Sequence, residues 1–298
     1  MSGSSVFISG RNIGQIRNLI ACDHEVTQGE YEIYMRYYSS GNKPNSGYGI
    51  GTNIPEYCVN WYEAIMYCNL RSIAEGLTPA YYLADSSGAE LGGAGNGRDI
   101  ASWQQSVVSG TLIYKDSNGK YYHGSNYTSS KLDWVDSGSG ESDGGICFDT
   151  EANGWRLPTE IEWEYLARSG NLTGTQTTYS GTTETGNDIN KVAWYTTNSA
   201  SKIHVVKTDK TAGVDSANGL GLYDMCGNVL EWCWDINSTI TTSTPVTGIV
   251  STLTNTRHVC RGGYYTETSA NCKVSSRASW GTESRGIRWG FRIVRNAD

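Results

Sequence analysis

The residues able to do chemistry are few and scattered. Eight cysteines stand at Cys22, Cys58, Cys68, Cys147, Cys226, Cys233, Cys260 and Cys272. None forms a Cys-x-x-Cys pair, which excludes a zinc ribbon or thioredoxin-type motif. Buried free thiols and disulfides both remain open, because sequence alone does not pair cysteines. The histidines, His24, His123, His204 and His258, are far apart in the chain. The carboxyl end, Ser275 to Arg295, is unusual in another way. It sets Trp280 and Trp289 among Ser, Gly, Thr and Arg. Its apolar residues neither alternate nor recur every three or four positions, so it reads as neither a half-buried strand nor an amphipathic helix. Aromatic side chains ringed by small polar residues give large contact area at low entropy cost, the composition of an antibody contact surface.

Elements must hold such residues in place. Three capping boxes mark helix starts, each a Thr or Asn with Glu three positions later. Thr27 with Glu30 opens one whose face carries Tyr31, Tyr34, Met35 and Tyr38. Asn60 with Glu63 opens a second, with Trp61, Ala64, Ile65 and Cys68 on its stripe and Gly76 as its stop. Thr159 with Glu162 opens a third, with Trp163, Leu166 and Ala167 inward and Gly170 at its end. From Val192 onward the chain breaks into short apolar pieces split by turns. Helices early and strands late give an α+β fold class. Ser86 to Asp149 is rich in Gly, Ser, Asp and Asn and reads as an insertion. Within it, two short apolar runs around Asn118-Gly119 predict a hairpin.

Bulk composition narrows the function. The 298 residues carry a net charge of -7, which argues against a sequence-independent nucleic-acid binder. No apolar run is long enough to span a membrane. Charged residues are 18% and hydrophobic ones 38%, too apolar for a disordered chain. There are 20 Tyr and 10 Trp but 3 Phe. That imbalance favours rings with a polar handle, suited to half-wet positions. No signal peptide is evident at the start, where "MSGSSVFISG" lacks an apolar core.

Four stretches in order, "ANGWRLPTEIEWEYLAR", "NGLGLYDMCGNVLEWCWD", "CRGGYY" and "GFRIVR", resemble the formylglycine-generating-enzyme, or sulfatase-modifying-factor, family. "EVTQGEYEIYM", "VNWYEAIMYCN" and "LTPAYY" fit its first half. The resemblance implies one domain over 1–298 with an elaborated C-type-lectin-like fold, little regular secondary structure and chain ends paired in one small sheet. It also implies two chemistries and a metal. The first chemistry is copper-dependent oxidation of a cysteine in a substrate peptide, using two cysteines at the fourth and ninth positions after Arg-Gly-Gly. Here those positions are Glu267 and Cys272. One thiol and one carboxylate do not make a soft two-sulfur copper site, so no copper and no catalytic residue is expected. The second is iron-dependent sulfoxide synthesis, which needs a histidine cluster that this chain lacks. The metal is calcium. In "YDMCGNVLEW" the matching ligands are Asp224, Gly227, Val229 and Glu231, two carboxylates and two turn carbonyls, as a hard cation wants.

The family frame also fits the tail. Cys272, Arg277, seven residues, Arg285, four residues, then Gly290-Phe291-Arg292 keep its spacing. What fills the frame is atypical, and so is "YYTET" after Gly263. Such a filling resembles the variable proteins of diversity-generating retroelements, in which selected codons are rewritten while the fold stays fixed. The resemblance implies a non-catalytic protein binding a surface protein or other macromolecule through a variable segment at 264–289, at a bacterial cell surface or otherwise outside the cytoplasm. The expected ligand-contacting positions are Tyr264, Tyr265, Thr266, Glu267, Ser276, Ser279, Trp280, Thr282, Glu283, Ser284 and Arg288, facing solvent as one patch. Arg277, Arg285, Phe291 and Arg292 should be buried or bonded into the frame, and Trp289 should be core. The alternative is an oxidase acting on a peptide cysteine.

Overall fold

The computed structural model describes residues 16–36, 43–83, 90, 97–99, 113–115, 121–123, 146–170, 177–182, 188–212, 216–241, 243–244 and 257–297. Helices form where the capping boxes predict. Helix α1 spans Gln28–Tyr34, α2 Trp61–Ala74 and α3 Glu160–Ala167. In each, the cap side chain accepts the amide of the third helical residue, whose glutamate returns a bond to the cap backbone. Gly76 and Gly170 follow the ends of α2 and α3 with φ of 70° and 69°, a conformation glycine adopts without penalty.

The strands are short. Strands β1 (Leu19–Ala21) and β10 (Val294–Asn296) pair antiparallel, so the two ends of the described chain meet. Strands β2 (Tyr81–Leu83) and β5 (Ile146–Phe148) form a second pair. Strands β3 (Ile113–Lys115) and β4 (Tyr121–His123) pair antiparallel as the predicted hairpin requires; Asn118-Gly119 lies outside the described residues. The rest of the 86–149 insertion lies almost wholly outside the described residues, as does Tyr38. The main sheet joins β6 (Leu230–Ile236), β7 (Arg257–Arg261), β8 (Arg277–Gly281) and β9 (Trp289–Gly290) in the order β8-β7-β6-β9. Its pairs are antiparallel except β6 with β9, which is parallel. No helix among the described residues is long and apolar enough to cross a membrane.

The core explains the aromatic imbalance. Trp61 Nε1 donates to the Cys233 carbonyl at 3.0 Å, and Trp232 Nε1 to the Val59 carbonyl at 3.1 Å. Tyr81 Oη accepts the Leu157 amide at 2.8 Å. All of these rings are buried. A loop-rich interior leaves backbone groups that no ladder satisfies. Trp and Tyr fill volume and bond those groups, which Phe does not. These rings are therefore interior braces rather than half-wet ones. The inward faces of α1, α2 and α3 are buried as their patterns predict, with Tyr34 partly so. All eight cysteines are free thiols, six of them buried, which settles the choice left open by their spacing.

Candidate functional site

The tail is held by arginine–glutamate pairs. Arg292, fully buried, forks onto Glu231 with Nε–Oε2 at 2.6 Å and Nη2–Oε1 at 2.8 Å. Arg285 forks onto Glu63 of α2, both bonds at 3.1 Å. Arg277 donates to Glu160 of α3 at 2.7 Å. Arg261 donates to Glu164 of the same helix at 2.5 Å. Phe291 is fully buried against Tyr31 and Tyr67, and Trp289 lies in the same core. Bidentate arginine–carboxylate bonds fix both distance and plane. The residues between these anchors are therefore set in place by the helices behind them. Gly263 makes the turn possible. Its φ is 76°, and a Cβ there would stand 2.8 Å from Cys272 Sγ.

Four of the expected ligand-contacting positions border one cleft. It has a volume of about 160 Å³ and lies between the loop after β7 and strand β8. Tyr264, Glu267, Ser276 and Trp280 line it, with Arg277 and Asn271. Beside it, the Arg288 guanidinium sits over three rings, 5.0 Å from Tyr264, 5.6 Å from Trp280 and 5.1 Å from Trp289. Arg257 also approaches Trp280, at 5.8 Å, and bonds the Ser279 carbonyl. Two buried donors on the cleft's lining residues, Trp280 Nε1 and Arg277 Nη2, have no hydrogen-bond partner. A ligand that supplies acceptors there would relieve an unpaired polar group.

The patch is narrower than the sequence suggests. Thr266 is exposed, and Tyr264, Glu267, Ser276, Ser279, Trp280, Glu283, Ser284 and Arg288 are half-buried. Tyr265 and Thr282 instead point inward, 1% and 2% exposed. Tyr265 packs with Ile54, Tyr57 and Val229, and its backbone is bonded on both sides, to Asn228 and Ser199. The Thr282 carbonyl accepts the amide of Trp61, the first residue of α2. Both positions belong to the frame. Trp280 is not fully exposed either, because it meets Trp289 edge-on at 5.1 Å. Spacing along the chain gave no sign of these inward turns, since the segment has no period from which a face could be read.

The two positions implied for thiol chemistry are not equivalent. The Glu267 carboxylate lines the cleft and accepts from Asn271 Nδ2 at 2.7 Å. Cys272 is fully buried, is not among the cleft's lining residues, and has its thiol pKa pushed up by burial. A nucleophilic or metal-binding sulfur needs the opposite environment.

Of the four residues implied for calcium, the two that supply carboxylates, Asp224 and Glu231, are already engaged. Asp224 Oδ1 holds the Lys210 ammonium at 2.5 Å, both side chains being fully buried. Both Glu231 oxygens meet Arg292, and Oε2 also accepts Trp163 Nε1 at 2.6 Å. Glu25, buried nearby, has its pKa pushed well up by desolvation and by Asp224 and Glu231. Its oxygens are engaged as well, accepting Asn228 Nδ2 at 2.7 Å and the Val229 amide at 3.1 Å. This donor set does not fit a divalent cation unless Lys210 leaves.

Residues 14–297 match the family described as the sulfatase-modifying factor enzyme 1-like domain. The chain is 30% identical over 281 residues to the chaperone protein LppX of Paenibacillus barcinonensis, covering 90% of this chain and 79% of that protein. It is 34% identical over 155 residues to the formylglycine-generating enzyme of Streptomyces coelicolor, about half of each chain (49% and 48%). Among solved structures, Treponema denticola variable protein 1 superposes with a TM-score of 0.60 at 28% identity, covering 93% of this chain and 84% of that one.

Proposed function

This chain belongs to the sulfatase-modifying factor enzyme 1-like family, and from that premise we propose that it is a non-catalytic binding protein whose carboxyl-terminal segment displays a variable ligand site. The observation that carries the proposal is the division of labour in the tail. Every frame residue is buried or bonded to a helix or strand glutamate, while Tyr264, Glu267, Ser276 and Trp280 between them line one cleft and Arg288 lies over its rings. Such a division lets side chains at the rim change without altering the fold. The likeness to a structure named as a variable protein supports the same reading. So does the likeness to a protein named as a chaperone, an activity of binding rather than bond-making. In this reading the ligand is a macromolecule met at a bacterial cell surface.

The test is allelic. The coding segment for residues 264–289 is sequenced from independent isolates. Substitutions should gather at Tyr264, Thr266, Glu267, Ser276, Ser279, Trp280, Glu283, Ser284 and Arg288 and spare Arg277 and Arg285. Substitutions spread evenly over frame and rim would refute the reading. The competing reading, an oxidase of peptide cysteine, follows from the half-length match to formylglycine-generating enzymes. It predicts formylglycine on a Cys-x-Pro-x-Arg peptide above a Cys272→Ala control. We expect none, because Glu267 stands at the first thiol position and Cys272 is sealed in the core.

A further inference from the structure

A second cluster of chemically able side chains lies away from the cleft, where β1 passes into α1. The ligand atoms of Cys22, His24 and Glu30 all lie within 4.8 Å of one another. Cys22 Sγ is 3.9 Å from His24 Nδ1, and His24 Nε2 is 3.4 Å from Glu30 Oε2. Tetrahedral zinc with bonds of about 2.0–2.3 Å sets neighbouring ligand atoms about 3.3–3.7 Å apart. These two distances run to opposite ring nitrogens, and one ion takes only one of them, so binding on Nε2 requires Cys22 Sγ to swing toward that nitrogen, a small movement for three ligand atoms already within 4.8 Å of one another. Asp23 Oδ1 bonds Nδ1 of the same imidazole. A metal on Nε2 would leave Nδ1–H to that carboxylate, the usual way a ligating histidine is oriented.

The surroundings hold these donors in place. The Cys22 amide donates to the Ile293 carbonyl and the Val26 amide to the Phe291 carbonyl, both at 2.9 Å. The Tyr223 amide donates to the Asp23 carbonyl at 2.8 Å. Glu30 is fixed as the third residue of the α1 capping box. Basic groups reach the outer oxygens: Lys207 Nζ meets Asp23 Oδ2 at 2.6 Å, and Arg71 approaches Glu30 Oε1 at 3.5 Å. Glu30 Oε2 faces His24 Nε2 and also accepts the Thr27 amide at 2.9 Å and the Thr27 hydroxyl at 3.0 Å, so a bound ion would share that oxygen with the helix cap. All the side chains of the cluster are partly open to solvent, so an ion has a way in.

We propose that Cys22, His24 and Glu30 form a zinc site, with water completing the tetrahedron. A mixed sulfur, nitrogen and oxygen set suits zinc, a borderline ion, better than calcium or magnesium. On binding, Zn²⁺ takes the place of the Cys22 thiol proton and of any second imidazole proton, which pass to solvent. The ion would tie the entry to α1 to the chain's carboxyl-terminal segment, because Cys22 is bonded to Ile293.

Tag-free, metal-free protein is titrated with cobalt as a zinc probe. One equivalent should give a thiolate-to-cobalt charge-transfer band and tetrahedral d–d bands, both displaced by zinc. Cys22→Ser should abolish the charge-transfer band, and His24→Gln should weaken binding at least tenfold. No charge-transfer band, or one that survives Cys22→Ser, overturns the proposal. A second measurement uses the native chain and does not depend on a variant folding. Iodoacetamide should alkylate Cys22 in metal-free protein, and one equivalent of zinc should slow that reaction at least tenfold by peptide mass mapping. An unchanged Cys22 alkylation rate also overturns it.

Discussion

Single residues carry sharply different costs in this tail. Phe291 is fully buried among aromatic rings, so Phe291→Ala should cost about 3–5 kcal/mol in a denaturant melt. Glu231→Gln should be comparably damaging, because it leaves the buried Arg292 guanidinium short of its counter-charge, a loss of about 3–5 kcal/mol. Arg288→Ala removes a guanidinium that makes no ion pair within the tail and only rests on rings, so its melt should move by about 1 kcal/mol or less. Lys210 decides the calcium question. With its ammonium on Asp224, chelator should leave the melting temperature of the native chain unchanged. Lys210→Met should lower that temperature, and millimolar calcium should then raise it again. A fall in the native melting temperature on chelation would mean that calcium, not Lys210, balances Asp224. His258 gives a pH signature. Burial against Trp61 and Trp234 depresses its pKa to about 3, so it folds neutral. Its contribution is intact above its unfolded pKa of about 6.5 and is lost as pH falls toward 3. The melting temperature should therefore fall less steeply from pH 6.5 to 4 in His258→Gln than in the native chain. Parallel slopes would remove His258 from the acid response.

At the scale of elements, legibility followed local rules. A capping box needs residues only three positions apart, and all three boxes lie where the sequence puts them. Thr159→Ala should cost about 1 kcal/mol by the same rule, measured as a shift in denaturant midpoint. The β3–β4 hairpin was readable for the same reason, since one loop joins two paired runs. The order β8-β7-β6-β9 was not readable, because β9 is two residues long and joins β6 in parallel across more than fifty residues of chain. Tyr265 and Thr282 escaped notice for a related reason. Their inward turn is set by backbone bonds to Asn228, Ser199 and Trp61, all distant in sequence. Lys210 at Asp224 is a third case, two charges fourteen positions apart that only the fold brings together. The arginine frame was legible as spacing, but its glutamate partners on α2, α3 and β6 were not.

The whole molecule closes on itself. The two ends of its described residues pair in β1–β10, and arginines of the tail run back to glutamates of α2, α3 and β6. Contacts that cross the chain anchor the tail, while the cleft and its rim sit between the anchors, with Tyr264 and Trp280 resting against the core. Survival of randomised tails under protease tests whether the two sets separate. Two libraries are displayed on cells and treated with protease, and the surviving fraction of each is counted. One randomises Tyr264, Glu267, Trp280 and Arg288; the other randomises Arg277, Arg285, Phe291 and Arg292. Most members of the first library should survive, and almost none of the second. Equal loss from both would show that the rim is part of the core, and the proposal of an exchangeable binding surface would fail.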